Sequence, residues 1–284
     1  MSSLSTPANG GPEPLLLLLD PAARQTDGES VRIAKDVLCG GADVKVVYPE
    51  STSELDRVLS HRGRRRPVVI GSDLALQRVL QALHRHRELG ADPVGMVPVG
   101  RAEELAAARA LGVPGEPVRA ARAVLSGASR KLDLLVDDGG GVALGGVRIT
   151  GAGARRPGGR SGGWRSLWAK LAAAEQANAL TAEGRPAAEL SPRVRVEADG
   201  RLLADVHRPV RLVQVTLPGG ESDGAGVMEV VVRAPGALVR ARAASVSVIG
   251  RGFGYEADGR AVGPVRARTW TVHPGAWGLL LPAA

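Results

Sequence analysis

Apolar and polar positions follow two different rhythms along this chain. Leu15 to Leu19 is an unbroken leucine run, far shorter than the ~20 residues a membrane-spanning helix needs, and it predicts a buried strand. After Asp20-Pro21 and a polar turn, Val31, Ala34, Val37 and Leu38 recur at helical spacing, and Gly40-Gly41 ends that helix. Val44 to Tyr48 predicts a second strand, Glu50 to Leu59 a helix opened by Ser and Thr caps, and Pro67 to Ile70 a third strand. Gly71-Ser72-Asp73 then turns into a helix running toward Leu89. Pro93 to Pro98 predicts a fourth strand, and Arg101 to Leu111 a helix stopped at Gly112. Strands alternating with helices imply an α/β fold with a doubly wound, mainly parallel sheet.

From Leu132 the rhythm changes. Leu132 to Val136, Gly146 to Thr150, Val194 to Glu197, Val210 to Thr216, Val227 to Val232, Ala244 to Ile249, Arg266 to Val272 and Gly278 to Leu281 are short runs of the kind that build an antiparallel, β-rich second domain. Gly151 to Gly163 reads as a Gly/Arg-rich loop and Trp164 to Leu180 as one helix. The division expected is a disordered tail over 1–14, an α/β domain over 15–137 and a β-rich domain over 138–272.

Composition narrows the function classes. In 284 residues, 44% hydrophobic and 23% charged positions are globular proportions with ample core material. Aromatics are only 2%, so stacking platforms for single-stranded nucleic acid are scarce. The formal charge of +8 suits phosphates, anionic lipid or nucleic acid, but Arg is spread along the whole chain as biased base composition would spread it. The lone Cys39 cannot form an internal disulfide and reads as a buried, inert thiol, which fits a reducing cytoplasm. The five histidines form no zinc-protease spacing, and Gly71-Ser72-Asp73 is not a nucleophile elbow. Two basic clusters, Arg62 to Arg66 and Arg155-Arg156-Arg160 beside Trp164 and Trp168, read as solvated loops or as contacts to an anionic membrane surface.

Several segments, in order along the chain, resemble the bacterial diacylglycerol kinase family of lipid kinases. Val68-Val69-Ile70-Gly71-Ser72-Asp73-Leu74-Ala75 stands where that family carries a strand and a G-G-D-G-T loop. Pro93 to Gly100 resembles the strand leading to its G-T-G-N-D loop, and Arg109-Ala110-Leu111-Gly112-Val113-Pro114 its R-A-L-G-x-P. Ala120 to Leu135 and the closing Val272-His273-Pro274-Gly275-Ala276 are similar to the link into its second domain and to its last strands. The resemblance implies a nucleotide-binding-like first domain completed by 273–284, with ATP and Mg²⁺ as cofactors if the protein is active. The implied nucleotide-binding residues are Gly71, Ser72, Asp73, Gly100 and Arg101. A diacylglycerol-like lipid or an anionic membrane surface is the implied partner, with a location that is cytoplasmic or peripheral at the membrane.

The chemistry of such a site requires residues that this chain has exchanged. Phosphate loops use Gly because the backbone must approach oxygen closely, yet Ser72 and Leu74 replace two loop glycines and Ala75 replaces Thr. The second loop reads Gly100-Arg101-Ala102-Glu103-Glu104, which puts carboxylates where phosphate would lie. Asp20-Pro21-Ala22-Ala23-Arg24 stands at the family's N-P-x-x-G. The acid of the family's magnesium segment corresponds to Ala225, with Asp223 two residues earlier as a substitute metal ligand. The family's D-G-E, whose Glu is the implied general base, is Asp258-Gly259-Arg260, leaving Asp258 as the surviving acid and the candidate catalytic residue; arginine cannot take the proton. Correlated loss across these motifs predicts a lipid kinase fold with eroded ATP and magnesium sites, retaining lipid or regulatory binding. Three other readings stay open here: an active ATP-dependent lipid kinase, a basic nucleic-acid-binding protein resting on charge alone, and a relative of NAD kinases, which share the G-G-D-G-T loop.

Overall fold

The computed structural model describes residues 13–150, 192–218 and 226–283. The first sheet is parallel throughout, in the order β2-β1-β3-β4, from β1 (Leu15–Leu19), β2 (Val44–Val47), β3 (Arg66–Gly71) and β4 (Gly95–Pro98). The leucine run occupies an inner strand and is buried on both sides. Leu15, Leu17 and Leu19 pack with α2 (Gly28–Gly41) and α6 (Pro117–Ser126), whereas Leu16 and Leu18 pack with α3 (Thr52–Ser60) and α4 (Asp73–Arg85). This is the doubly wound arrangement that continuous apolar strands require, because helices must cover both faces.

The second sheet is antiparallel. Its order is β12-β11-β10-β7-β13-β14-β5-β6, with β8 pairing β13 and β9. These strands are β5 (Ala128–Asp137), β6 (Val142–Ala143), β7 (Gly146–Thr150), β8 (Val194–Ala198), β9 (Arg201–Ala204), β10 (Leu212–Thr216), β11 (Met228–Ala234), β12 (Ala237–Ala243), β13 (Ser245–Ala257) and β14 (Arg260–Leu281). The alternating Val213 and Val215, Met228, Val230 and Val232, and Val246 and Val248 fill its core with Trp270.

The two sheets are joined at the end of β14. The Val94 amide donates to the Gly278 carbonyl at 2.7 Å and the Leu280 amide to the Val94 carbonyl at 3.0 Å, a parallel bridge beside β4, while Gly278 to Leu281 pair with β5 on the other side. Trp277 and Leu279 are fully buried there, in the same cluster as Leu132 and Leu134 of β5 and Leu80 of α4. Helix α4 supplies a second joint. Its apolar residues Leu76, Val79, Leu80 and Leu83 face the first core, and a polar stripe at i, i+4, i+8 faces the β-rich sheet. On that stripe the Gln77 amide donates to the Val142 carbonyl at 2.6 Å and to Asp258 at 3.4 Å, and Gln81 donates to the Gly140 carbonyl at 3.4 Å.

Several elements differ from the pattern-based expectation. The turn after Asp20 is a helix, α1 (Pro21–Thr26), because the Asp20 carboxylate accepts from the Ala22 amide and Pro21 sits at the first helical position. Helix α4 ends at Arg85 rather than near Leu89. Arg87 takes φ 60°, and the Arg87 and Glu88 amides close back onto the His84 and Leu83 carbonyls, the left-handed stop that usually carries Gly. That conformation costs a non-Gly residue about 1 kcal/mol. The Arg101 to Leu111 segment divides into a 3₁₀ turn (Ala102–Leu105) and α5 (Ala106–Ala110). The two closing runs are one strand, β14, with a bulge between His273 and Trp277. β6, β9 and β12 were not expected; two are very short, and β12 interleaves Arg with Ala and Leu.

Cys39 is exposed rather than buried, since Val31, Ala34 and Leu38 form the inward face of α2. The basic cluster at 62–66 is not a set of free solvated cations: Arg62 is buried against Glu88 and Asp92, Arg65 pairs with Asp43 and Arg66 with Glu13. The expected loop and helix over 151–180, with the second basic cluster and its tryptophans, lie outside the described residues, as does the expected tail up to residue 12. Among the described residues no helix is long and apolar enough to cross a membrane.

Truncating Gln77, which is 3% exposed, leaves the buried Val142 carbonyl without its side-chain donor. Gln77→Ala is expected to lower unfolding free energy by about 1–3 kcal/mol in urea titrations, the cost of unsatisfied buried polar groups. Substitution of the exposed neighbour Arg78 should stay within about 0.5 kcal/mol.

Candidate functional site

Open parallel α/β sheets bind ligands beyond the carboxyl ends of their strands. Four turns meet at that edge here. β1 runs into Asp20 and α1, β2 into Tyr48, β3 into Gly71-Ser72-Asp73 and α4, and β4 into Val99-Gly100-Arg101 and the 3₁₀ turn. The β3 and β4 turns are bonded to each other through the Val99 amide and the Gly71 carbonyl at 3.0 Å, so Gly71, Ser72, Asp73, Gly100 and Arg101 do come together.

The turns after β1, β3 and β4 are each tied down by a carboxylate of the chain itself. Glu104 accepts from the Arg101 amide at 2.9 Å and from the Arg101 guanidinium at 2.5 and 3.1 Å. That pairing raises the Arg101 pKa and lowers that of Glu104, with the side-chain hydrogen bond the largest cause for both. Asp20 accepts from the Ala22 amide at 3.1 Å and from the Ser72 hydroxyl at 3.2 Å. Gly71 is backed onto Asp20 so tightly that a Cβ there would lie 2.6 Å from the Asp20 Cβ. Its glycine thus serves strand-to-turn packing. Gly100 has φ 155°, and a Cβ on it would meet the Glu104 carboxylate at 3.1 Å. Leu74 projects from the first turn of α4 and is 38% exposed, a bulky side chain at a position where a phosphate loop would carry glycine.

Asp73 and Asp258, the two surviving acids of the motifs, are both committed to backbone amides. Asp73 accepts from Ala107 at 2.7 Å and Ala108 at 2.9 Å, which fixes the start of α5 against α4. Burial pushes its carboxyl up to about 6, opposed by those two amides and reinforced by the nearby Asp258 charge. Asp258 lies in the turn between β13 and β14 with φ 46° and accepts from Leu144, Gly145 and Gly146 at 2.6, 2.8 and 3.0 Å. Burial raises its pKa as well, and the three amides oppose the shift. Gln77 stands between the two acids as a donor to Asp258. Sequence reasoning missed Gln77 as a member of this constellation; its signal was the stripe Asp73, Gln77, Gln81 at helical spacing.

Asp223, the proposed substitute metal ligand, and Ala225 lie outside the described residues. Among the described residues no three His, Cys, Asp or Glu side chains are grouped to hold a metal ion. The donor set at the sheet edge does not fit a nucleotide phosphate, because Glu104 already accepts from the loop amide that such a phosphate would need and adds negative charge beside it.

No family model matches this chain, and no curated protein matches it either. Solved structures do. Three solved structures from Bacillus anthracis str. Sterne, two described as a "putative diacylglycerol kinase" and one as a diacylglycerol kinase, superimpose with TM-scores of 0.70, 0.71 and 0.68 at 14%, 15% and 14% identity. Each comparison covers 96% of this chain and 98% of the other. The chain has the diacylglycerol kinase fold, a parallel α/β sheet followed by an antiparallel β-rich sheet.

The shifted Asp73 carboxyl makes stability depend on pH. Its folded pKa of about 6 exceeds the ordinary value of 3.8, so the folded state holds the proton more tightly. Its contribution is fully present below pH 3.8 and is lost as pH rises through 6. Urea titrations between about pH 4 and pH 7 should show wild type losing on the order of 2–3 kcal/mol relative to Asp73→Asn. Parallel profiles for the two proteins would refute this.

Proposed function

We propose that this protein is a lipid kinase fold whose phosphoryl transfer has been lost and whose function is binding or regulation, with a diacylglycerol-like lipid or an anionic membrane surface as partner. The observation that carries the reading is the set of internal carboxylates at the carboxyl edge of the first sheet. Glu104 accepts from the amide of Arg101, Asp20 holds Ser72 and the start of α1, and Asp73 holds the start of α5. A triphosphate entering there would have to displace one carboxylate and lie beside the others, with like charges opposing at short range in a partly buried site.

The acid that would serve as a base supports the same reading. Asp258 accepts three amide hydrogen bonds, and its motif partner is Arg260, which cannot accept a proton. Loss of a positioned base costs ~10²–10⁴ in rate.

A second reading, ATP-dependent phosphorylation of a lipid hydroxyl, draws on Asp73. A carboxyl that titrates near 6 is in the range where general bases operate. Against it, both Asp73 oxygens are occupied by the Ala107 and Ala108 amides.

Calorimetric titration with ATP and Mg²⁺ to millimolar nucleotide, with and without lipid micelles, separates the two. No saturable heat is expected in either condition. Saturable binding would overturn the proposed loss and direct attention to phosphate transfer onto diacylglycerol and related alcohols. Flotation with vesicles of phosphatidylcholine, alone and with diacylglycerol or an anionic lipid, tests the remaining function. Failure to float with any of them would remove the lipid-binding half of the proposal.

A further inference from the structure

The end of α4 opposite to Asp73 carries a second constellation. Thirteen helical residues at 1.5 Å each place it roughly 18 Å from the turns described above. There, an open groove of about 570 Å³ lies between the last turn of α4, the 87–90 segment and the β14 bulge. Its lining brings together His84, Arg87 and His273 with the apolar Leu89, Val272 and Pro274, and it includes no acidic residue. The two imidazoles meet edge to face with ring centroids 5.9 Å apart.

The surrounding charges are already spoken for. Arg85 binds Asp56 at 2.7 and 2.9 Å, His86 stands 3.3 Å from the same carboxylate, and Glu88 is drawn away to the buried Arg62. The last carbonyls of α4 accept from the amides of His86, Arg87 and Glu88, which removes the bare negative end a helix would otherwise present. Arg87, His84 and His273 have no ion pair among the described residues. Arg87 also occupies the left-handed stop position with φ 60°, where Gly would be unstrained. A strained arginine in place of Gly, on the wall of a groove that holds two further nitrogen donors and no acid, is the pattern of a side chain kept for a ligand.

We propose that this groove binds a phosphate-type oxyanion, with the Arg87 guanidinium and the His84 and His273 imidazoles as donors and the apolar wall accommodating a carbon substituent on the anion. Guanidinium matches tetrahedral oxyanions through paired N–H groups, and an imidazole donates one N–H even when neutral. The anion can come as a free phosphate or as the headgroup of a phosphate-monoester lipid, and the groove's chemistry is common to both. The site spans the joint between the two sheets, so an occupant would touch α4 and β14 at once.

The decisive variant is Arg87→Gly, which removes the donor while relieving the backbone conformation. Its melting temperature should equal or exceed that of wild type, so lost binding cannot be ascribed to unfolding. Inorganic phosphate titrated into wild type should shift the imidazole ring resonances of His84 and His273 saturably, and Arg87→Gly should weaken this at least about tenfold. Vesicles of phosphatidylcholine with and without a phosphate-monoester lipid form the second arm. Arg87-dependent capture by the phosphate-bearing vesicles identifies a headgroup, whereas saturable shifts with inorganic phosphate alone identify a free anion. Unshifted histidines together with Arg87-independent vesicle behaviour, or phosphate binding unchanged in Arg87→Gly, would overturn the assignment.

Discussion

The carboxylate of Asp258 holds the molecule together at its most demanding point. A parallel sheet and an antiparallel sheet must meet without stranding backbone polar groups, and the turn around Leu144 to Gly146 brings three amide donors to the edge of that joint. One side chain satisfies all three, and Gln77 approaches it from α4. The geometry leaves little freedom: Gly146 has φ 155°, and a Cβ there would lie 2.2 Å from the Val215 carbonyl oxygen. The position of α4 follows from the Gln77 contacts to Val142 and Asp258 and from the apolar packing of Leu76 and Leu80 on the other side of the helix.

That dependence gives the acids of the two motif-like segments a structural role independent of any chemistry. Desolvation of the Asp73 and Asp258 carboxyl groups disfavours their charged forms. Backbone amides offset this, and an acid that accepts two or three amides is worth keeping for structure alone. Two of the positions that differ from the family pattern, Leu74 and Arg101, stand at the surface and make no such contacts to backbone amides of other elements. The hydrogen bonds of Asp73 and Asp258 therefore report what the fold needs and do not by themselves identify what the site does.

Much of the architecture was legible in the sequence because it rests on local signals. The leucine run, the continuous strand Val68 to Ile70 and the helical spacing of Val31, Ala34 and Leu38 each name an element and its buried face. Boundaries were less legible where a single contact decides them. Helix α4 stops at a left-handed Arg87 rather than at a Gly, and α1 exists because Asp20 caps what otherwise reads as a turn. The site was legible as a list of residues and not as a geometry. The spacing of Gly71-Ser72-Asp73 and Gly100-Arg101 gives their place at the sheet edge, but that Glu104 folds back onto the Arg101 amide is a matter of one side-chain torsion that no periodicity records.

The same distinction governs the net charge. A formal +8 suggests attraction to polyanions, yet the sequence cluster at 62–66 is largely consumed inside the fold, with Arg62 only 8% exposed against Glu88 and Asp92. Burying an arginine is tolerable only when its charge is paired, and the two acids that pair it lie in the segment that follows α4. With both acids paired to Arg62, the groove at the end of α4 has no carboxylate among its lining residues, although Glu88 is the immediate neighbour of Arg87. Local charge is thus set by which acids are tied down and where, and an apparently basic run can create a cationic surface at a distance by withdrawing the acids that would have neutralised it.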